Sequence, residues 1–331
     1  MEWIKKWQHN RNMNKKINKA TSLSSSLRGR NFLSMDDLTG EELKLVLDTA
    51  GKQKRGRIPP SLKGKTVVLV FEKPSLRTKM SFDIAVYELG GHCISLQQTE
   101  IGLGIRESVS DVAQVIARYA DAVVIRTFAQ KTLEEFAAYS SVPVVNSLTD
   151  AEHPCQALAD LLTIREHKGK LRGVRIAYIG DGNNVAASLA IGAALSGADF
   201  AIAAPKGYEL PFEVVSSVKR AAKKSGASFL QHVSSRDAVR DADVVYTDVW
   251  TSMGQEREQA KRKKAFKAYQ VTKKLMALAK KDAIFMHDLP AHRGEEVADE
   301  VIDGPQSVIF DQAENRLHAQ RALLHLLLGS R

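Results

Sequence analysis

The chain has 331 residues and is 44% hydrophobic, enough to bury a full core and long enough that two domains are the better expectation. Its two cysteines, Cys93 and Cys155, argue against a disulfide-stapled secreted scaffold, and no apolar run reaches the roughly 18 residues of a membrane-spanning helix. The net charge of +10 is concentrated at the start, where the first 35 residues carry eight Lys and Arg against Glu2 alone; the near-neutral remainder gives no reason to expect a nucleic-acid partner.

Residues 1–25 form a basic, acid-poor extension that turns Ser-rich, with Trp3, Ile4, Trp7 and Ile17 able to share a helix face. Two readings stay open: a disordered arm on a cytoplasmic protein, or a mitochondrial transit peptide. A secretory signal is disfavoured because no apolar stretch follows the charges. From Asp36, DDLTGEELKLVLDTAGKQK has helical period with acids near its start. KTVVLVF is a buried-strand run, followed by a helix from about Ser75 that stops at Gly90 and Gly91. DAVVIRTF and VPVVNSL repeat the strand signal, with the helix LEEFAAYS between them.

HPCQALADLLTIREHKG reads as one bridging helix, with Pro154 in its first turn and Leu158, Leu161 and Leu162 on one apolar face. A second series follows, in which RIAYIG, FAIAAP, VVYTDVW and AIFMHD are strands separated by helix-compatible stretches. The alternation predicts an α/β protein of two doubly wound parallel-sheet domains with the active site in the crevice between them. The expected domains are 26–152 and 153–315, with a C-terminal helix over 316–331 returning to the first.

Ligands of open α/β sheets bind beyond the carboxyl ends of the strands, so polar residues just after the apolar runs are the site candidates. FEKPSLRTK sets Ser75, Arg77 and Thr78 at a strand-to-helix turn. The first amides of a helix lack internal partners and lie at the positive end of its dipole, which suits an anion, and a guanidinium matches phosphate bidentately. Taken alone, Ser75 reads more simply as a helix cap. Arg126, ending a second strand, makes two arginines converging on one helix terminus, as a doubly charged group requires. His153 and Gln156 stand three apart at the start of the bridging helix, an imidazole and an amide suited to polarising a carbonyl.

IGDGNNVAASL offers Gly180 and Gly182 to a dinucleotide fingerprint, but Val185 holds the third glycine position and the next strand ends without an acid, so nicotinamide binding is disfavoured. Asn183 and Asn184 are either caps or holders of an amino acid's carboxylate or ammonium. In TDVWTSMGQE, Asp248 at a strand end suits a substrate ammonium, or caps a helix beginning near Gln255. FMHDLP places His287 and Asp288 directly after a buried strand. His287 and His292 lie five apart across a proline, with no HExxH and no GxSxG, so neither a metal site nor a Ser-His-Asp triad is expected.

FEKPSLRTK, HPCQ at His153 to Gln156 and ENRLH at Glu314 to His318 resemble, in this order, the signatures of the carbamoyltransferase family, and GDGNN with DVWTSMGQE resembles its ornithine branch. The likeness runs from about Arg28 to the C-terminus. It implies that Ser75, Leu76, Arg77, Thr78, Arg126, His153, Pro154, Gln156 and Arg316 contact carbamoyl phosphate, with Asp288 and Leu289 at the reacting centre. It also implies that Asn184, Asp248, Ser252 and Met253 hold L-ornithine. Arg77, His153 and Asp288 are the implied catalytic residues, and no cofactor is implied. A homotrimer is implied too, with the GLGIRES loop reaching a neighbour's site. Two positions depart from the family pattern: Lys79 stands where an Arg is usual, and Asp288 replaces the cysteine of HCLP. The second opens rival readings, a carbamoyltransferase for putrescine, acetylornithine or lysine, and an inactive ligand-binding paralogue.

Overall fold

A computed structural model describes residues 25–329. The readings of the N-terminal extension as an arm or a transit peptide fall outside the described residues, apart from Ser25.

Helix α1 (Gly40–Arg55) starts at a capping box in which Thr39 accepts from the Glu42 amide and Glu42 accepts from the Thr39 amide. The acids ahead of it, Asp36 and Asp37, lie in a separate short turn capped by Ser34, so the helix begins later than its acidic prelude predicts. Strands β1 (Thr66–Phe71), β2 (His92–Gln97), β3 (Ala122–Arg126) and β4 (Val144–Leu148) form an all-parallel sheet in the order β2-β1-β3-β4. Helices α2 (Leu76–Glu88), α3 (Val109–Tyr119) and α4 (Gln130–Tyr139) connect them.

Next comes α5 (Pro154–Lys168), which leads to a second parallel sheet. Its strands are β5 (Arg175–Ile179), β6 (Asp199–Ala203), β7 (Phe229–His232), β8 (Val244–Thr247) and β9 (Ile284–Met286), in the order β7-β6-β5-β8-β9. Helices α6 (Asn184–Ser196), α7 (Phe212–Ser225) and α8 (Gln259–Phe266) belong to this half, and α9 (Ile309–Leu328) ends the described chain.

Two features differ from the sequence reading. The strands β2 and β7 carry no continuous apolar run: each is a partly exposed sheet edge with polar residues in its register, whereas the edges β4 and β9 are buried, β4 with Phe32 bridged to Val145. The bridging helix α5 is buried on every side from Pro154 to Ile164 instead of along one stripe, because α1, α6, β4 and α9 surround it. One apolar core therefore runs from β1 through α5 to β5, including Val67, Leu161, Tyr178 and Leu323. The final helix returns to pack on α1, α2 and α5, beginning at Ile309.

Candidate active site

The carboxyl ends of β1, β3, β5, β8 and β9 open into a cleft of about 940 Å³ between the two sheets. A larger cavity of about 1280 Å³ lies between α1 and α7, but its charges are matched within its own walls, as in Arg30 with Glu42, Arg165 with Asp48 and Arg220 with Asp36. The chemistry converges on the first.

On the wall formed by the first sheet, Ser75 caps α2 by accepting from the Thr78 amide, and its hydroxyl donates to Thr78 Oγ1 at 2.9 Å. Both readings of Ser75 thus hold in geometry: it is the cap, and it lines the cleft with Leu76, Arg77 and Thr78. Arg316, buried on α9, donates from Nη1 to Gln156 Oε1 at 2.6 Å and from Nη2 to Thr78 Oγ1 at 3.2 Å. Arg126 is buried with its Nε unpartnered, and burial together with the charges of Arg316 and Arg77 pulls its pKa down to about 10. It still carries its charge at neutral pH. Three guanidinium groups around one helix N-terminus make a pocket whose field demands an anion.

His153, ahead of Pro154 at the start of α5, is pushed well below the ordinary imidazole range by burial and by Arg316, Arg126 and Arg77. It is neutral at working pH, and its Nδ1 has no partner among the described residues. A neutral imidazole beside cations suits the polarisation of a carbonyl oxygen. Pro154 and Gln156 do not line the cleft: Pro154 is the buried first residue of α5, and Gln156 reaches the site through Arg316.

On the opposite wall, Gly182 lets the β5–α6 turn pass the backbone of Glu209 and Leu210, which a Cβ would meet at 2.5 Å. Asn183 caps α6 and donates from Nδ2 to Asp248 Oδ2 at 2.7 Å. Asn184 lines the cleft, with its Nδ2 donating to the Thr149 carbonyl at 2.6 Å. Asp248 does not cap the following helix; as expected, the helical segment begins near Gln255, the N-cap of a 3-10 turn over Glu256–Glu258 that runs into α8 at Gln259. Ser252 and Met253 sit in the loop above, with Met253 exposed toward the cleft mouth.

Asp288 is almost fully buried and hydrogen-bonded to Asp248. Burial, then the Asp248 charge, holds its carboxyl well above the ordinary range. Asp288 is therefore the acid that keeps its proton, and its Oδ1 lies 3.6 Å from His287 Nδ1 without a hydrogen-bond partner among the described residues. The adjacent His287 accepts from the Leu289 amide at Nδ1 and donates from Nε2 to the buried Glu296. Asp248, His287 and Asp288 bring one donor atom each within 4.8 Å of one another, a grouping that ligand spacing along the chain did not signal. The lone pair of His287 Nδ1 is already engaged, so the trio has the character of a proton-sharing cluster. Leu289 adopts a positive φ of 59° and its carbonyl accepts from Arg77 Nη2 at 2.6 Å, tying the two walls together.

Residues 30–166 match the family model for the aspartate/ornithine carbamoyltransferase carbamoyl-P binding domain, and residues 172–327 match the one for the Asp/Orn binding domain. The chain belongs to the aspartate/ornithine carbamoyltransferase family. Within that family it is 53% identical over 299 residues to an ornithine carbamoyltransferase of Caldicellulosiruptor saccharolyticus, covering 89% of this chain and 97% of the relative. It is 51% identical over 308 residues to the ornithine carbamoyltransferase of Bacillus subtilis, covering 93% and 97%. Among solved structures, the ornithine carbamoyltransferase from Pyrococcus furiosus superposes with a TM-score of 0.89 at 49% identity, covering 92% of this chain and 99% of that one. The two-domain α/β architecture expected from the alternating pattern is the carbamoyltransferase fold.

Several residues that shape the site had escaped the sequence reading. Lys73 is buried, donating to Asp150 Oδ1 at 2.5 Å with its ammonium 4.1 Å from the centre of the Phe128 ring. Arg262 and Asp181 form a buried pair at 2.7 Å that braces the Trp250 carbonyl below the Ser252 loop. Asp160 lies behind Gln156 at zero exposure. A carboxylate set within the apolar stretch Ala157 to Leu162 was the available signal for this last residue, since acids are seldom fully buried without partners.

Proposed function

We propose that the chain transfers the carbamoyl group of carbamoyl phosphate to the side-chain amine of L-ornithine, giving L-citrulline and phosphate. The observation that carries this reading is the pairing, across one cleft, of the pocket of Arg77, Arg126 and Arg316 with the carboxyl pair Asp248–Asp288. The first suits a phosphate dianion and the second an alkylammonium. Identity near 50% to curated ornithine carbamoyltransferases over about nine-tenths of the chain supports the choice of amine.

In this reading residues 26–152 bind carbamoyl phosphate and residues 153–315 bind the amino acid. The ammonium, with an ordinary pKa of about 10.4, must lose a proton before its lone pair can attack, to water or to the Asp248–Asp288 pair in its doubly charged form. The amine nitrogen then bonds to the carbonyl carbon, and His153, Arg77 and Thr78 stabilise the developing oxyanion. The bond from carbon to the phosphate oxygen breaks, and the phosphate leaves into the arginine pocket carrying the proton released by the attacking nitrogen. No step requires a covalent enzyme intermediate.

Two features support a homotrimer. Leu76, Met80, Ile84 and Tyr87 form an exposed apolar stripe along α2, and the loop after β2 exposes Ile105 at the same sheet end as the Ser75 turn. A step of arginine biosynthesis in the cytoplasm fits this assignment. The basic, Ser-rich extension favours mitochondria as the alternative address, and a fusion of residues 1–25 to a fluorescent protein would separate the two.

Asp288 favours a second reading, carbamoylation of another amine. Purified protein is to be incubated with carbamoyl phosphate and ornithine, putrescine, lysine, acetylornithine or aspartate, and the carbamoylated products measured. Turnover of ornithine is expected; clear turnover of another amine without it would overturn the assignment, and silence across the panel would favour an inactive paralogue.

A further inference from the structure

Asp160 is absent from the chemistry above, yet it is the fully buried carboxylate on which two amides of the site converge. It lies one turn after Gln156 on α5, with zero exposure. Its Oδ1 accepts from Gln156 Nε2 and from Gln312 Nε2, both at 2.8 Å, and its Oδ2 accepts from the Tyr246 hydroxyl at 3.2 Å.

A primary amide has one donating end and one accepting end, so fixing the first aims the second. With Nε2 of Gln156 on Asp160, its Oε1 faces Arg316 Nη1 at 2.6 Å. With Nε2 of Gln312 on the same oxygen, its Oε1 accepts from the backbone amide of His287 at 2.9 Å. One acceptor thereby points two amide oxygens in different directions, one into the arginine pocket and one onto the loop that carries Asp288.

We infer that Asp160 is a positioning residue that sets the register between the two halves of the site, acting through Gln156 on Arg316 and through Gln312 on the His287–Asp288 loop. The inference rests on the proposed reading of the cleft as a carbamoyl-phosphate and amine site. An apolar replacement frees the Gln156 amide to turn, so that Arg316 loses an aimed acceptor, and leaves Gln312 Nε2 held by the Tyr246 hydroxyl alone, at 2.9 Å, which loosens the anchor of the His287 amide. Asparagine at this position keeps an oxygen for both amides and gives up only the charge and the Tyr246 donor. The environment supports a dedicated role: burial pushes the Asp160 carboxyl up to about 7, against the pull of Gln156, Gln312, Arg316 and Tyr246. An acid kept in so costly a place has to be offset by what it organises.

The test compares D160N, D160L and Q312L with the wild type, with folding checked by circular dichroism. D160L is expected to weaken carbamoyl phosphate binding by calorimetry at least 10-fold and to lower kcat at least 100-fold. D160N is expected to stay within about 5-fold of the wild type on both. Q312L is expected to raise the amine KM while leaving carbamoyl phosphate affinity within about 3-fold, because the Gln156 arm is intact. Affinity and kcat at wild-type levels in D160L, or an equal loss in D160N and D160L, overturns the inference. Should D160L fail to fold, the split in Q312L decides: equal loss on both substrates overturns it. The calorimetric arm does not depend on the identity of the amine, and a wild type that binds carbamoyl phosphate but leaves ornithine untouched counts against the proposed function alone.

Discussion

Asp288 shows how one substitution changes the character of a site. A thiol there would be a weak donor, whereas a second carboxyl against Asp248 makes a pair that can hold one proton or none. Because burial and Asp248 hold Asp288 well above the ordinary carboxyl range, the pair becomes doubly charged only as pH rises, and that is the form that can accept a proton from an ammonium. Replacing Asp288 with Asn should raise the ornithine KM roughly 10-fold or more, the scale of one charge-assisted hydrogen bond. Asp288→Cys should move the rising limb of the kcat/KM profile to higher pH, where the amine deprotonates without help. An unchanged KM and pH profile in the cysteine variant would remove Asp288 from the mechanism. On the phosphate side, Arg316→Met should weaken carbamoyl phosphate binding about 10- to 100-fold, measured by calorimetry, since Gln156 and Thr78 both lose a charged donor.

At the scale of elements, α2 has two faces with separate duties. Its N-terminus carries the Ser75 cap and the Arg77 and Thr78 contacts, while Leu76, Met80, Ile84 and Tyr87 lie exposed along its length. If the proposed trimer packs on this stripe, Met80→Glu combined with Ile84→Glu should leave monomers, read by light scattering, with the α/β circular dichroism spectrum in place. A mass three times that of the chain in this variant would show that the stripe lies outside the interface. The elements themselves were largely legible: β1, β3, β5, β6 and β8 are built on apolar runs, β4 opens on one, and their parallel pairing follows from the intervening helices. The edges β2 and β7 were not, since HCISLQ and FLQH lack the run of a doubly covered strand. The site candidates were legible because they follow those apolar runs directly. Gln312 was not, because its partners Asp160, Tyr246 and His287 lie 152, 66 and 25 positions away, and nothing local marks it.

For the whole molecule, pH and ligands should act through the cleft between the sheets. The folded-state pKa of Asp160, about 7, stands above its ordinary value of 3.8, so the native state keeps a proton that the unfolded chain has released between these values. Stability from this group is fully present below about 3.8 and is lost as pH rises toward about 7. The groups facing it are Gln156, Gln312, Arg316 and Tyr246, with Asp288 nearby. The melting temperature of D160N should therefore gain on the wild type as pH rises from about 5 to about 7 and run parallel above it. Saturating carbamoyl phosphate at about 100 times its Kd should add about 2.7 kcal/mol, a rise in Tm of roughly 5 °C, and no shift would argue against the arginine pocket as its site.

The last helix has a consequence for how the protein is made. Helix α9 follows the second sheet in the chain but packs on α1, α2 and α5, and it supplies both Arg316 and Gln312. During synthesis the first sheet emerges early, yet the helix that packs on α1 and α2 and supplies Arg316 to the anion pocket emerges only after the second sheet. The nascent first half thus waits with the faces of α1 and α2 that pack on α9 uncovered until the second sheet has been made. A truncation ahead of Ile309 should yield a product that binds chaperones and has no pocket, however well its nine strands are encoded.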